Sequence, residues 1–189
     1  MDTPPLENIV GFAALIGYVL TLLPTILRIV FPQTKGTAIH KWLLQNRRQI
    51  GVLSFFFTAI HGYPYLHKRN LDVGDAMTYA IYIQGVWAFV VLLILAATSN
   101  NWSVKKLKQN WKQLHKLTYT LIFIIAWHIW DKMSGHWTYL TPVSLAICTI
   151  IAILFSIRVY IEYTTQRQKN LNRPQLQPTQ GVSDVETKL

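Results

Sequence analysis

A single cysteine, Cys148, stands in 189 residues. That excludes an intramolecular disulfide, a CxxC redox pair and a cysteine-ligated iron–sulfur cluster. Acidic residues are scarce too: 8 Asp and Glu against 18 Lys and Arg leave a formal net charge of +10. Neither GxGxxG nor a Walker-type loop occurs, and no segment repeats, so the chain carries no flavin or nicotinamide domain of its own. It cannot draw on NADPH alone.

Long uncharged runs are what the chain has instead. Ile9–Phe31 holds one charge, Arg28, while Ile50–Leu66, Ala76–Asn101 and Tyr139–Ile157 hold none. Leu117–Trp130 is shorter and spans if it starts near Lys112 and its lysines reach the interface. Runs of roughly 17–25 apolar residues cross the hydrocarbon core as helices. The pattern predicts an all-α integral membrane bundle of about five transmembrane helices. Asp2 and Glu7 stand where a basic n-region would, so the first run reads as a span and not a cleaved signal.

Charge sets the orientation. Lys35, Lys41, Arg47 and Arg48 follow the first run, and Lys105, Lys106, Lys108, Lys112 and Lys116 follow the third. Basic loops stay cytoplasmic, which puts the N-terminus outside and the C-terminus inside, in the plasma (inner) membrane. Membrane lipids with anionic headgroups, and not nucleic acid, are the expected partners of these charges. Residues 1–163 form the membrane domain and 164–189 read as a polar, disordered cytoplasmic tail; Arg158, Arg167, Lys169 and Arg173, read as a basic tail, agree with an inner C-terminus. Residues 32–49 and 99–116 read as inner loops, with His40 solvated in the first; His67 faces water outside.

Within the second run, Arg47, Gly51, Ser54, Thr58 and His61 recur at steps of four, three, four and three, so they share one helical face. An ionisable group at membrane depth faces a bundle interior, a partner or a cofactor. The small residues leave room either for a flat object or for another helix in close approach. A later run adds His115 and His128. Three histidines on two neighbouring helices suggest a metal or haem site, with His61 and His128 as axial ligands toward the outer face. His115 falls level with Arg47 and Arg48, where a second group could bind with either arginine near its propionates. On an ideal helix His115 and His128 lie about 20 Å and about 140° apart, which calls for a bend or π-bulge if they are to share a face.

With these residues laid out, the chain resembles the ferric-reductase-like transmembrane family, and within it the MsrQ/YedZ branch of haem-binding membrane subunits. The resemblance rests on Arg47-Arg48-x2-Gly51 through Ile60-His61, and on Trp111-x2-Leu114-His115-x3-Tyr119 through His128. It covers roughly residues 10–163. It implies haem b, one group or two, bound by residues matching His61, His115 and His128, with electrons from quinol or a flavin reductase passing to an outer acceptor or reductase subunit. That branch usually has six spans against five here and often has glycine where Lys108 stands; relatives with paired histidines on both helices bind two haems, whereas here Arg47 or Arg48 stands in the position paired with His61. Two other readings stay open: a cofactor-free adaptor or small transporter whose histidines hydrogen-bond between helices, and a direct ferric or cupric reductase with His67 and His136 near the metal.

Overall fold

In the second run the seam predicted from sequence is filled by a helix. The computed structural model describes residues 3–68, 76–133 and 137–172. Helix α1 (Leu6–Val30) stops at Phe31, where Pro32 opens a 3-10 turn over Pro32–Gly36. Helix α2 (Ala38–Lys68) runs back antiparallel against it. Ser54 Oγ donates to the Ala14 carbonyl at 2.8 Å, Arg47 Nη1 donates to Thr25 Oγ1 at 3.2 Å, and His61 lies against Gly11. A Cβ at Gly17 would stand 3.1 Å from that of Ser54, so small side chains on both helices set the spacing. Helix α1 occupies this face.

The remaining helices are α3 (Ala76–Ala97), the short α4 (Asn101–Leu107) and α5 (Gln109–Leu114), then α6 (Leu117–Met133) and α7 (Leu140–Leu171). Helix α3 packs on α2 and α6, α6 packs on α7, and α7 returns to α1, closing a five-helix ring. Its interior is lined by Tyr18, Leu22 and Ile26 from α1, Ala88 and Leu92 from α3, Leu121 and Ile122 from α6, and Cys148 and Ile151 from α7. Phe56, Trp87, Phe123 and Ile153 point outward, an apolar exterior suited to lipid.

Among the described residues the fold is helical throughout. Leu6–Val30 and Leu140–Leu171 are long and apolar enough to cross a membrane; Tyr82–Ala97 with Asn101–Leu107, bent by 94°, makes a third if taken as one span. Against the expected five, α6 is short at 17 residues, and α2 carries Lys41, Arg47 and Arg48 in its first half.

Three sequence expectations need correction. Residues 38–49 are not a loop: no Gly or Pro interrupts them, and they extend α2 by three turns, with His40 buried at 4% exposure. Residues 101–114 form α4 and α5; Asn100 caps α4 by accepting from the Ser103 N–H at 2.7 Å. Helix α7 continues to Leu171, so residues 164–171 are helical and not tail; 173–189 lie outside the described residues.

Lys108 joins α4 to α5 at φ 47° and ψ −113°, a region glycine enters without strain and lysine does not. The turn thus keeps the backbone of the glycine that relatives were expected to have there. Lys108→Gly should therefore stabilise the protein, by about 1 kcal/mol, read as a rise in the thermal unfolding midpoint in detergent.

Candidate functional site

Each of the three histidines is held by a different neighbour. His61, near the end of α2, donates Nδ1–H to the Glu7 carbonyl at 2.7 Å. A carbonyl only accepts, so Nδ1 carries a proton, and in the neutral imidazole this assigns the lone pair to Nε2, the tautomer that ligates a metal. A Cβ at Gly11 would come within 2.8 Å of this ring. Glycine there is what lets α1 fix the ring plane.

His128 is fixed in a comparable way by α3. A Cβ at Gly85 would lie 3.0 Å from its Cε1. Beside it, Gln84 Nε2 donates to Asp131 Oδ2 at 3.4 Å, one turn beyond His128 on α6. Helix α2 and α6 run parallel, because both pack antiparallel to α1 or α3, so His61 and His128 lie at the same end of the bundle. The two helices do not form an extended interface; α3 packs against both. The expectation that they are direct neighbours is corrected accordingly.

His115 belongs to the opposite end and to no long helix. It closes α5 at φ −71° and ψ −8°, two residues before α6 begins. The ideal-helix separation from His128 therefore does not apply, and no π-bulge is needed. Its ring stacks on Trp111 with centroids 4.1 Å apart, and its Nε2 lies 3.3 Å from Thr98 Oγ1. That hydroxyl already donates to the Ile94 carbonyl at 2.7 Å, so His115 Nε2–H is the donor. Burial, with the Arg47 guanidinium adding to it, holds this imidazole below its ordinary pKa and favours the neutral form.

The two consecutive arginines part company. Arg47 turns inward to Thr25, whereas Arg48 Nη1 donates to Asn101 Oδ1 at 2.8 Å on the exposed rim. His67 is exposed and stacks on Tyr63; His136, its suggested companion, lies outside the described residues. Among the described residues no three His, Cys, Asp or Glu side chains gather as a metal site. Two imidazoles are what haem iron requires of the protein, and His61 and His128, each ring packed against a glycine of the adjacent helix, fit that donor set.

Sequence reasoning missed several members of these clusters. Tyr119 stacks on Phe155 with centroids 5.0 Å apart and lies under Arg158, whose guanidinium carbon stands 4.6 Å from its ring centroid. Arg158, set aside with the basic tail, is the first charge after an uncharged run, and that was its signal. Trp111 stands four residues before His115, a spacing that marks a stacked pair. Thr25 ends a stripe of small residues in the first run, which was its signal; for Thr98 the sequence offered none.

A family model described as ferric reductase like transmembrane component matches residues 10–126. The chain is similar to the protein-methionine-sulfoxide reductase heme-binding subunit MsrQ of Herminiimonas arsenicoxydans, 29% identical over 135 residues covering 68% of this chain and 61% of the relative. Proteins of the same name from Brucella melitensis biotype 2 and Brucella ovis are each 35% identical over 127 residues, 65% of this chain and 54% of theirs. The chain thus spans between half and two thirds of the length of these relatives.

Proposed function

Because the chain belongs to the family of ferric-reductase-like transmembrane components, and so is an integral membrane protein, we propose that it is a b-type cytochrome serving as an electron-transfer subunit. The observation that carries this reading is the pair His61 and His128, at one end of the bundle, each ring pinned by a glycine of the adjacent helix. The name of the similar MsrQ proteins, heme-binding subunits of a methionine-sulfoxide reductase, supports it.

In this reading five helices, α1, α2, α3, α6 and α7, cross the membrane with the N-terminus outside and the C-terminus cytoplasmic. His61 and His128 would hold haem b near the outer face of the plasma (inner) membrane. Bound haem would supply one-electron redox chemistry; the protein would orient it and surround it with a low-dielectric medium. Arg47 and Arg48 stand at the opposite end, level with His115, where they would balance the propionates of a second group. His115 becomes a ligand to a second group only by releasing Thr98, so one haem per chain is favoured. Quinol or a flavin reductase is the donor, and a separate reductase subunit outside, acting on methionine sulfoxide, is the acceptor.

A reduced-minus-oxidised spectrum of the purified protein, with haem counted per chain, tests the reading. A b-type spectrum near one haem is expected. Two haems would make His115 a ligand, and none after haem supply during expression would leave a cofactor-free adaptor as the better account.

A further inference from the structure

Helix α3 ends at Ala97, and the chain turns by 94° before α4 begins at Asn101. A short helix set at right angles to a span lies along the membrane surface. Three side chains fix the turn. Asn100 caps α4 by accepting from the Ser103 N–H, and Arg48 Nη1 donates to Asn101 Oδ1 at 2.8 Å, which ties the start of α4 to α2. Trp111 Nε1 donates to the Thr98 carbonyl at 3.0 Å, which folds α5 back against the end of α3. The α4–α5 segment is therefore an elbow of set shape and not a loose loop.

What the elbow presents outward is charge of one sign around an aromatic ring. Ser103 is buried and marks the inward side of α4; Trp102, 67% exposed, stands on the other side with Lys105 and Lys106, at steps of three and four. Lys106 Nζ lies 4.5 Å from the centroid of the Trp102 ring. Lys108, Lys112 and Lys116 follow, all exposed. No Asp or Glu occurs between residues 76 and 130, so the stretch carries no counter-charge of its own. A bare tryptophan among lysines suits the level where water meets acyl chains: the indole lies among the headgroups and the ammonium groups reach the phosphates. A soluble acidic partner would use the lysines but gives no reason for an open indole, with Val104 exposed beside it, at the end of an apolar helix.

We propose that the α4–α5 elbow is a binding surface for anionic phospholipid on the cytoplasmic leaflet, with Trp102 set among the headgroups and Lys105, Lys106, Lys108, Lys112 and Lys116 on their phosphodiesters. The fold separates basic residues that the sequence could only group: Arg47 and Arg48 donate to Thr25 and Asn101, whereas the elbow lysines project outward. The inference rests on α3 crossing the membrane with its C-terminal end inside, as proposed above, and requires no haem.

The test uses the full chain in phosphatidylcholine vesicles that contain either brominated phosphatidylglycerol or brominated phosphatidylcholine at the same mole fraction. Bromine quenches tryptophan on contact, and the signals of Trp102 and Trp87 are isolated as differences between wild type and Trp102→Phe or Trp87→Phe. Brominated phosphatidylglycerol should quench Trp102 roughly threefold more strongly than brominated phosphatidylcholine, a preference lost in about 1 M salt and in the triple variant Lys105→Gln, Lys106→Gln, Lys112→Gln. Trp87, 59% exposed on α3, should be quenched equally by both. Equal quenching of Trp102 by the two lipids, or a preference that survives salt, overturns the proposal; should the triple variant fail to insert, the salt series decides. Trp102 quenched by aqueous iodide and by neither lipid also overturns it, and leaves the lysines to an acidic soluble partner. If neither lipid quenches Trp87, α3 does not cross the membrane, and the elbow falls together with the five-span reading. Trp87 quenched as expected beside an indifferent Trp102 overturns the elbow alone.

Discussion

Alanine at His61 or at His128 should strip the protein of b-type absorbance, to below about a tenth of wild-type haem per chain, while His115→Ala keeps most of it. The asymmetry follows from how each imidazole is held. His61 carries its proton on Nδ1 because the Glu7 carbonyl demands it, which presents Nε2 as the electron-pair donor. His115 carries its proton on Nε2, committed to Thr98, and its ring face is covered by Trp111. Loss of one axial ligand removes a coordinate bond, whereas loss of a supporting contact typically costs 10–100-fold in affinity at most. Neither His61 nor His128 is among the fully buried side chains of the core, so both variants should still insert and fold. Haem by pyridine haemochrome, against protein by absorbance at 280 nm, is the measurement. Full haem in His61→Ala would remove that residue from the ligand set, and equal loss in all three variants would point to a site shared between the two ends.

The face carrying Arg47, Gly51, Ser54, Thr58 and His61 was legible because helical period alone places those residues together. What covers that face was not, since periodicity describes one helix at a time. A matching signal did lie in the first run: Gly11, Ala14, Gly17, Thr21 and Thr25 recur at three and four residues and meet the first face in antiparallel order. Two such stripes facing each other make a close helix pair. The break between α5 and α6 was invisible for a different reason. His115-Lys116-Leu117 contains no helix breaker, and the turn there is held by tertiary contacts to Thr98 that leave no local pattern. Arg158 was misplaced because a charge after an apolar run reads as the start of a tail; only the packing of α7 against α6 turns it toward Tyr119.

The second large effect concerns that close helix pair. Gly17→Leu should destabilise the protein by about 3 kcal/mol or more, because even its Cβ is crowded there and leucine adds three further carbons in the same seam. The added Cβ would meet Ser54 Cβ at 3.1 Å and its Cα at 3.5 Å, and backbone cannot swing aside as a long side chain can. Ser54 is itself buried, at 1% exposure. Relief therefore requires α1 and α2 to separate. Separation breaks the Ser54–Ala14 bond at mid-seam and draws Glu7 away from His61 at one end and Thr25 from Arg47 at the other. Lost stability and lost haem should consequently appear together in this variant, although position 17 touches neither histidine. Gly62→Ala is the control: no atom lies within 4 Å of its added Cβ, and alanine favours a helix interior by roughly 0.5–1 kcal/mol. Thermal unfolding of both in detergent, with haem counted before heating, separates the outcomes. A Gly17→Leu protein that melts as wild type would mean that α1 does not fill the seam of α2, and the face ending at His61 would again be open to a flat ligand.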